Sequence, residues 1–97
     1  MQPSDGASVP YHGLVKRSVM IAGHSTSISL EPFFWQNLEQ AALKRDLPLN
    51  ALIARIDAER VKANDIPNLA SALRIWLFFT LWQEKEALTH NLLNESA

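Results

Sequence analysis

Cysteine is absent from the 97 residues, which excludes disulfide bridges, thiolate metal sites and thiol nucleophiles together. The three histidines, His12, His24 and His90, have a spacing that places no two of them on one helical face. A zinc site or a catalytic dyad is therefore not predicted. The sequence also lacks a glycine-rich phosphate loop and a serine, histidine and acid pattern. We expect no enzyme, no metal and no cofactor.

The chain has no excess of charge of either sign and no long hydrophobic run. Its formal net charge of -1 gives no global attraction to nucleic acid or to an anionic membrane, so any basic footprint has to be local. The longest apolar stretch, "IWLFFTLW", is far shorter than the roughly 20 residues that span a bilayer. Residues 1–15 carry no basic segment followed by an apolar one, so a secretory signal is not predicted and a cytoplasmic location is expected.

The length and composition indicate one small domain. Hydrophobic residues make up 47% of the sequence, which is enough for a core. A chain of 97 residues buries proportionately little surface by itself, so oligomerisation is expected. Residues 1–15 contain prolines, glycines and small polar residues without periodicity, and they are predicted to form a mobile arm.

A β-hairpin is predicted after this arm. Two runs of alternating apolar and polar residues surround Gly23-His24, and a two-residue loop that begins with glycine suits a type II′ turn. The corresponding register places Lys16 opposite Glu31, so that the lysine could neutralise the acid. It gives the hairpin a serine-rich exposed face and an apolar face, which is formed by Val19, Ile21, Ile28 and Leu30.

Three helices are predicted after the hairpin. The first begins at Pro32, whose missing N–H costs nothing in a first turn, and it ends near Arg45-Asp46. Pro48 begins the second. Asn68 can cap the third, which extends to residue 83 or as far as residue 93.

The third helix is apolar on nearly every side and therefore has to be covered on every side. The cover is expected to come from a second copy of the chain, or from the first two helices of the same subunit. The residues concerned are Ile75, Trp76, Leu77, Phe78, Phe79, Leu81 and Trp82.

The strand "SISL", the helix "PFFWQNLEQAALKR", a tight turn and the helix "LNALIARI" resemble a ribbon-helix-helix domain. The longer pattern, with "VMIAGH" before the strand and "NLASALRIWL" after the second helix, is similar to a bacterial group of such proteins whose individual functions are mostly unassigned. This resemblance implies a mainly α fold with a short N-terminal β-ribbon and a third, C-terminal helix. It divides the chain into an arm (1–15), a ribbon-helix-helix core (16–64) and a C-terminal helix for packing and oligomerisation (65–97).

The resemblance also implies an intertwined homodimer. In this family the ribbon strands of two chains pair across a two-fold axis, and helices from both subunits form one core. The residues expected at the dimer interface are Ile28, Leu30, Trp35, Leu52, Ile53, Ile56, Trp76 and Phe79.

Family members that bind DNA place the ribbon in the major groove, where outward side chains read base edges. The first turn of the second helix typically holds a phosphate. DNA-binding members usually carry basic or amide side chains on the ribbon, whereas this chain has serines and an acid. The resemblance, together with the local basic pair Lys16-Arg17, gives these candidate DNA-binding residues: Lys16, Arg17, Ser27, Ser29, Glu31, Leu49 and Asn50.

Two functions remain open at this stage. The first is a homodimeric DNA-binding protein that regulates transcription. The second is an oligomeric interaction module that keeps the fold without binding DNA and that could receive a protein partner. A basic ribbon face would favour the first function, and an acidic face with Glu31 and Asp46 unpaired would favour the second.

Overall fold

The structure is a computed structural model that describes residues 8–96. An antiparallel ribbon of two strands, β1 (Val15–Ile21) and β2 (His24–Leu30), precedes three helices, α1 (Pro32–Lys44), α2 (Leu49–Arg60) and α3 (Leu69–Ser96). The predicted fold class, mainly α with a short N-terminal ribbon and a third C-terminal helix, is confirmed. No helix within residues 8–96 is long and apolar enough to cross a membrane.

The predicted arm is described only in part. Residues 1–7 lie outside the described residues, and residues 8–14 are exposed and belong to no helix or strand. Val15, which was assigned to the arm, is the first residue of β1.

The ribbon turns at Ala22-Gly23, and the predicted turn at Gly23-His24 is wrong. Ala22 (φ 50°) and Gly23 (φ 82°) both have positive φ, which defines a type I′ turn. Such a turn matches the right-handed twist of the strands, and this outweighs the roughly 1–2 kcal/mol that alanine loses in the left-handed conformation. Lys16 consequently lies opposite Ser29, so the predicted pairing of Lys16 with Glu31 is also wrong.

The error in register leaves the faces of the ribbon unchanged. Observed and predicted partners differ by two positions, and side chains alternate between the faces with a period of two. The predicted apolar face is therefore confirmed, because its four side chains are all buried: Val19, Ile21, Ile28 and Leu30.

Helix α1 ends in a hydrogen-bonded cap. The N–H of Leu47 donates to the carbonyl of Ala42 at 3.0 Å, and the N–H of Asp46 donates to the carbonyl of Leu43 at 3.1 Å. This is the Schellman pattern, which requires a left-handed residue at the position of Asp46 (φ 56°). The cap reverses the chain so that α2 can begin three residues later, after Pro48.

Local hydrogen bonds also fix the connection between α2 and α3. Arg60 donates to the carboxylate of Asp57 at 2.9 Å and to the carbonyl of Pro67 at 3.0 Å. The side chain of Asn68 then accepts a hydrogen bond from the N–H of Ser71 at 2.8 Å, which confirms the predicted cap of α3.

One hydrophobic core lies between the inner face of the ribbon and the three helices. Trp35 anchors α1 to the ribbon, because its indole N–H donates to the carbonyl of Val15 at 2.9 Å. Leu73 and Leu77 of α3 close the core from the other side. Six residues expected at a dimer interface are already buried within one chain: Ile28, Leu30, Trp35, Leu52, Ile53 and Ile56.

The two halves of α3 have different surroundings. Its first half packs on the core through Leu73 and Leu77, whereas every side chain from residue 81 to residue 95 is exposed. The two remaining interface candidates lie near this boundary, with Trp76 half-buried and Phe79 51% exposed. The distal half of the helix thus projects from the rest of the chain.

Candidate nucleic-acid interface on the ribbon

The side of the ribbon that faces away from the helices is polar and carries one positive charge. Its cross-strand pairs are Lys16 with Ser29, Ser18 with Ser27 and Met20 with Ser25. None of these six side chains is buried, and none is acidic. We refer to this surface as the outer face, formed by Lys16, Ser18, Met20, Ser25, Ser27 and Ser29.

Arg17 lies on the opposite side of the ribbon from Lys16, because consecutive residues of a strand point to opposite faces. Its guanidinium is 4.6 Å from the centroid of the Trp35 ring and 3.6 Å from the carboxylate of Glu39. The structure therefore separates the two cations that sequence reasoning had grouped together. Lys16 is directed outward, while Arg17 covers an aromatic side chain of the core.

Glu31, directly after β2, is neutralised by a distant arginine. Its carboxylate accepts hydrogen bonds from Arg74 of α3 at 3.0 and 3.3 Å. A hydrogen bond with its own backbone N–H and the bond from Arg74 hold the pKa of the Glu31 carboxyl below its ordinary value. Asp57 of α2 pairs with Arg60 instead.

The outer edge of β2 is open. The residues next to the turn, Ile21 and His24, exchange both backbone hydrogen bonds, and such pairs recur at every second position. The backbone groups of Ser25, Ser27 and Ser29 therefore point away from β1. No backbone hydrogen bond to these groups occurs within residues 8–96.

An open groove of about 290 Å³ lies beside this edge. Residues 26–29, from both faces of β2, form one wall, and residues 68–70 at the start of α3 form the other. Because no residue of β1 lines it, the groove lies at the free edge of β2. Unlike most edge strands, this one has no charged side chain, proline or bulge to prevent pairing with another strand.

The first turn of α2 was the predicted phosphate site. Leu49 is half-buried and Asn50 is exposed. Pro48 has no N–H, but its carbonyl accepts from the N–H of Ala51 at 3.0 Å, so the N–H groups of Leu49 and Asn50 precede the helical ladder. Asp46 is exposed close by in sequence and forms no ion pair within residues 8–96.

Two further cations, Lys44 and Arg45, interact with groups of the same chain. Lys44 lies 3.7 Å from the carboxylate of Glu84. Arg45 donates to the carbonyl of Ala41 at 3.0 Å and lies 4.9 Å from the centroid of the Trp76 ring. Both interactions hold the C-terminal end of α1 against α3. In the described part of the chain, no group of three or more histidine or acidic residues could hold a metal ion.

The sequence profile of the family described as "Ribbon-helix-helix domain" matches residues 14–81, about two thirds of the chain. The chain belongs to the ribbon-helix-helix family. Members of this family generally bind DNA and regulate transcription. Comparison with curated proteins and with solved structures gave no significant match.

The ribbon-helix-helix match ends at residue 81, just beyond the last buried residue of α3, Leu77, so the family accounts for the packed part of the molecule. Within that part, the structure brings Lys16, Ser27 and Ser29 onto one face. It directs Arg17 to the core and ties Glu31 to Arg74. Sequence reasoning missed the Glu31–Arg74 pair, because no local signal connects residues 43 positions apart.

Proposed function

We propose that this protein is a homodimeric DNA-binding regulator of transcription that works in the cytoplasm. The β2 strands of two copies pair along their free edges, which joins the two ribbons into one sheet. The outer face of this joined sheet meets DNA.

The charge of the outer face carries the proposal. Its one ionised side chain is Lys16, and the nearest carboxylate along the chain, Glu31, is held by Arg74. A two-fold axis doubles Lys16 without adding a free acid. Serine hydroxyls are short and can either donate or accept, so they can approach phosphate oxygens and base edges without steric conflict. The positive charge of the outer face favours DNA binding, whereas Asp46, which forms no ion pair within residues 8–96, favours the alternative.

Each side chain has a distinct role in this proposal. Lys16 contacts phosphate, and Ser27 and Ser29 contact base edges or the sugar-phosphate backbone. The exposed N–H groups at Leu49 and Asn50 contact a second phosphate at the positive end of α2.

Arg17 and Glu31 act differently from the first expectation. Arg17 stabilises the ribbon through Trp35, and Glu31 stabilises it through Arg74. Neither side chain needs to contact DNA.

The test is binding of a mixed pool of double-stranded DNA, followed by fluorescence anisotropy between about 50 and 200 mM salt. We expect affinity to fall steeply with salt. Lys16→Ala should weaken binding and reduce the slope of log K against log salt by about 1 per chain, because each phosphate contact contributes about 0.9.

Lys62→Ala is the matched control, since it removes one exposed positive charge outside the ribbon. It should leave the slope near that of the unmodified protein. Equal losses in the two variants would show that binding depends on net charge alone and would contradict the assignment of the outer face.

A second candidate function is an oligomeric interaction module without DNA binding. It is favoured by the open apolar groove of about 590 Å³ formed by Phe34 of α1 and aromatic residues of α3. No binding of DNA at the lowest salt by a protein of confirmed oligomeric state would select this function. The search would then turn to a protein partner.

A further inference from the structure

Large apolar side chains follow one side of α3 over most of its length. They recur three, four or eleven positions apart, so at 100° per residue they fall within a sector of roughly 100°. Their exposed fractions lie between 49% and 72%. We refer to this surface as the α3 stripe, formed by Ile75, Phe78, Phe79, Trp82 and Leu93.

The described part of the chain covers the α3 stripe only in part: Phe34 of α1 borders its groove, and Trp82 remains 49% exposed. Leu73 and Leu77, which face the core, lie on nearly the opposite side of the helix. All side chains of residues 81–95 are exposed, and an isolated helical segment of about 15 residues is marginal in water. Exposed apolar surfaces of this extent mark interaction sites. The distal half of α3 also lies beyond the ribbon-helix-helix match, so the family does not account for it.

Two charged residues indicate what covers the α3 stripe. Lys85 and Glu86 are neighbours in sequence, so they lie at nearly the same height. Lys85 falls next to the border formed by Phe78, and Glu86 falls near the other border, in line with Phe79. When two helices are related by a two-fold axis parallel to them, opposite borders meet, as in parallel coiled coils. Each Lys85 then faces the Glu86 of the other copy. An antiparallel two-fold pair would instead bring like borders together.

We propose that two copies of this chain pair through parallel α3 helices, with the α3 stripes in contact and two reciprocal Lys85–Glu86 ion pairs at their borders. If each of the five stripe side chains loses roughly 100 Å² of exposed surface, the pair buries about 1,000 Å², which is the lower threshold for a biological interface. The pairing is a second contact between copies, distinct from the pairing of β2 strands and independent of DNA binding.

Single cysteines can test this pairing directly, because the chain has none of its own. Thr89 lies at the centre of the sector, two turns beyond Trp82. In a parallel pair, residue 89 of one copy lies next to residue 89 of the other. The two residues at position 75, about 21 Å lower along the helices, also lie next to each other. Under mild oxidation, the full-length Thr89→Cys and Ile75→Cys variants should both form covalent dimers.

Asn91→Cys is the matched control, because Asn91 is exposed on the opposite side of α3 and should not cross-link. Thr89→Cys that cross-links no more than Asn91→Cys would overturn the pairing. Cross-linking at position 89 or 75 but not at both would overturn the parallel arrangement, since an antiparallel pair brings only one height into self-contact.

Charge reversal provides a second test, because the single variants should weaken association and the double variant should restore it. Lys85→Glu and Glu86→Lys should each weaken association by about tenfold, because like charges then face each other twice. The double variant Lys85→Glu/Glu86→Lys restores the opposite pairs and should restore association measured by sedimentation. Failure of the double variant to recover, with circular dichroism unchanged, would contradict the proposed contact. Loss of DNA binding alone would not affect either test.

Discussion

The inner face of the ribbon and the α3 stripe are both apolar, yet only the inner face of the ribbon is buried by other residues of the same chain. Leu30 on the ribbon and Leu73 on α3 are fully buried against each other's elements, whereas Phe78 and Leu93 are 72% and 66% exposed. The ribbon folds back onto the helices, so its alternating side chains meet a core. The α3 stripe lies on the side of its helix away from the core, where no further helix or strand within residues 8–96 closes over it. Similar residue types therefore form a core in one region and an open surface in the other.

Truncating one leucine in each region tests this comparison most strongly. Leu73→Ala should lower the free energy of unfolding by about 2–5 kcal/mol, because it leaves a cavity in a closed core. Leu93→Ala should change it by no more than about 0.5 kcal/mol at protein concentrations low enough to prevent association. Urea unfolding followed by circular dichroism measures both. A large loss in Leu93→Ala under these conditions would mean that the chain itself covers the α3 stripe.

The two edges of the ribbon offer the next contrast. Ser18 and Ser27 are cross-strand partners whose N–H groups both point away from the ribbon, so proline at either position leaves the hairpin bonds intact. Ser27→Pro should weaken pairing of β2 with a second copy by about 1–3 kcal/mol for each hydrogen bond lost.

Ser18→Pro is the control on the edge of β1. Sedimentation equilibrium should show a lower mean mass for Ser27→Pro only. An equal decrease in both variants would mean that the free edge of β2 has no special role in assembly.

The turn at Ala22-Gly23 allows the ribbon to be stabilised by a substitution that lies outside both the free edge of β2 and the α3 stripe. Ala22→Asn should raise the free energy of unfolding by about 0.5–1 kcal/mol, because asparagine tolerates positive φ and is preferred in type I′ turns. Ala58→Asn, on an exposed position of α2, should lower it by a few tenths of a kcal/mol through helix propensity. Thermal unfolding measures both changes. The same sign in the two variants would contradict the type I′ assignment.

The Glu31–Arg74 pair gives the smallest expected effect and a dependence on pH. The folded-state pKa of Glu31 is lowered from about 4.5, so its contribution to stability is complete above that value. It is lost as the pH falls through the lowered folded-state pKa. Glu31→Gln should therefore lower the melting temperature at pH 7, and the difference should shrink below pH 4.5.

Glu59→Gln removes an exposed carboxylate that forms no ion pair within residues 8–96, and it serves as the control. Its effect on the melting temperature should be small at every pH. A pH-independent difference for Glu31→Gln would show that the side chain stabilises the fold without its charge.

The sequence predicted the element boundaries where a local signal existed. Pro32 and Asn68 mark the beginnings of α1 and α3 through effects that act within one turn. The hairpin register was missed because the alternating pattern repeats every two residues. A shift by two positions gives the same faces, so only the geometry of the turn at Ala22-Gly23 could select between the two registers.

The sequence by itself determined the secondary structure and the inner and outer faces of the ribbon, because these depend on periodicity and on signals within a few residues. The family follows from the match of residues 14–81 to its profile. Only the tertiary structure decided that Arg17 faces Trp35 and that Arg74 neutralises Glu31. These contacts join residues 18 and 43 positions apart, and their partners depend on how the helices pack. The tertiary structure also decided which apolar surface remained open, because the packing of Leu73 and Leu77 fixed the side of α3 that faces the core.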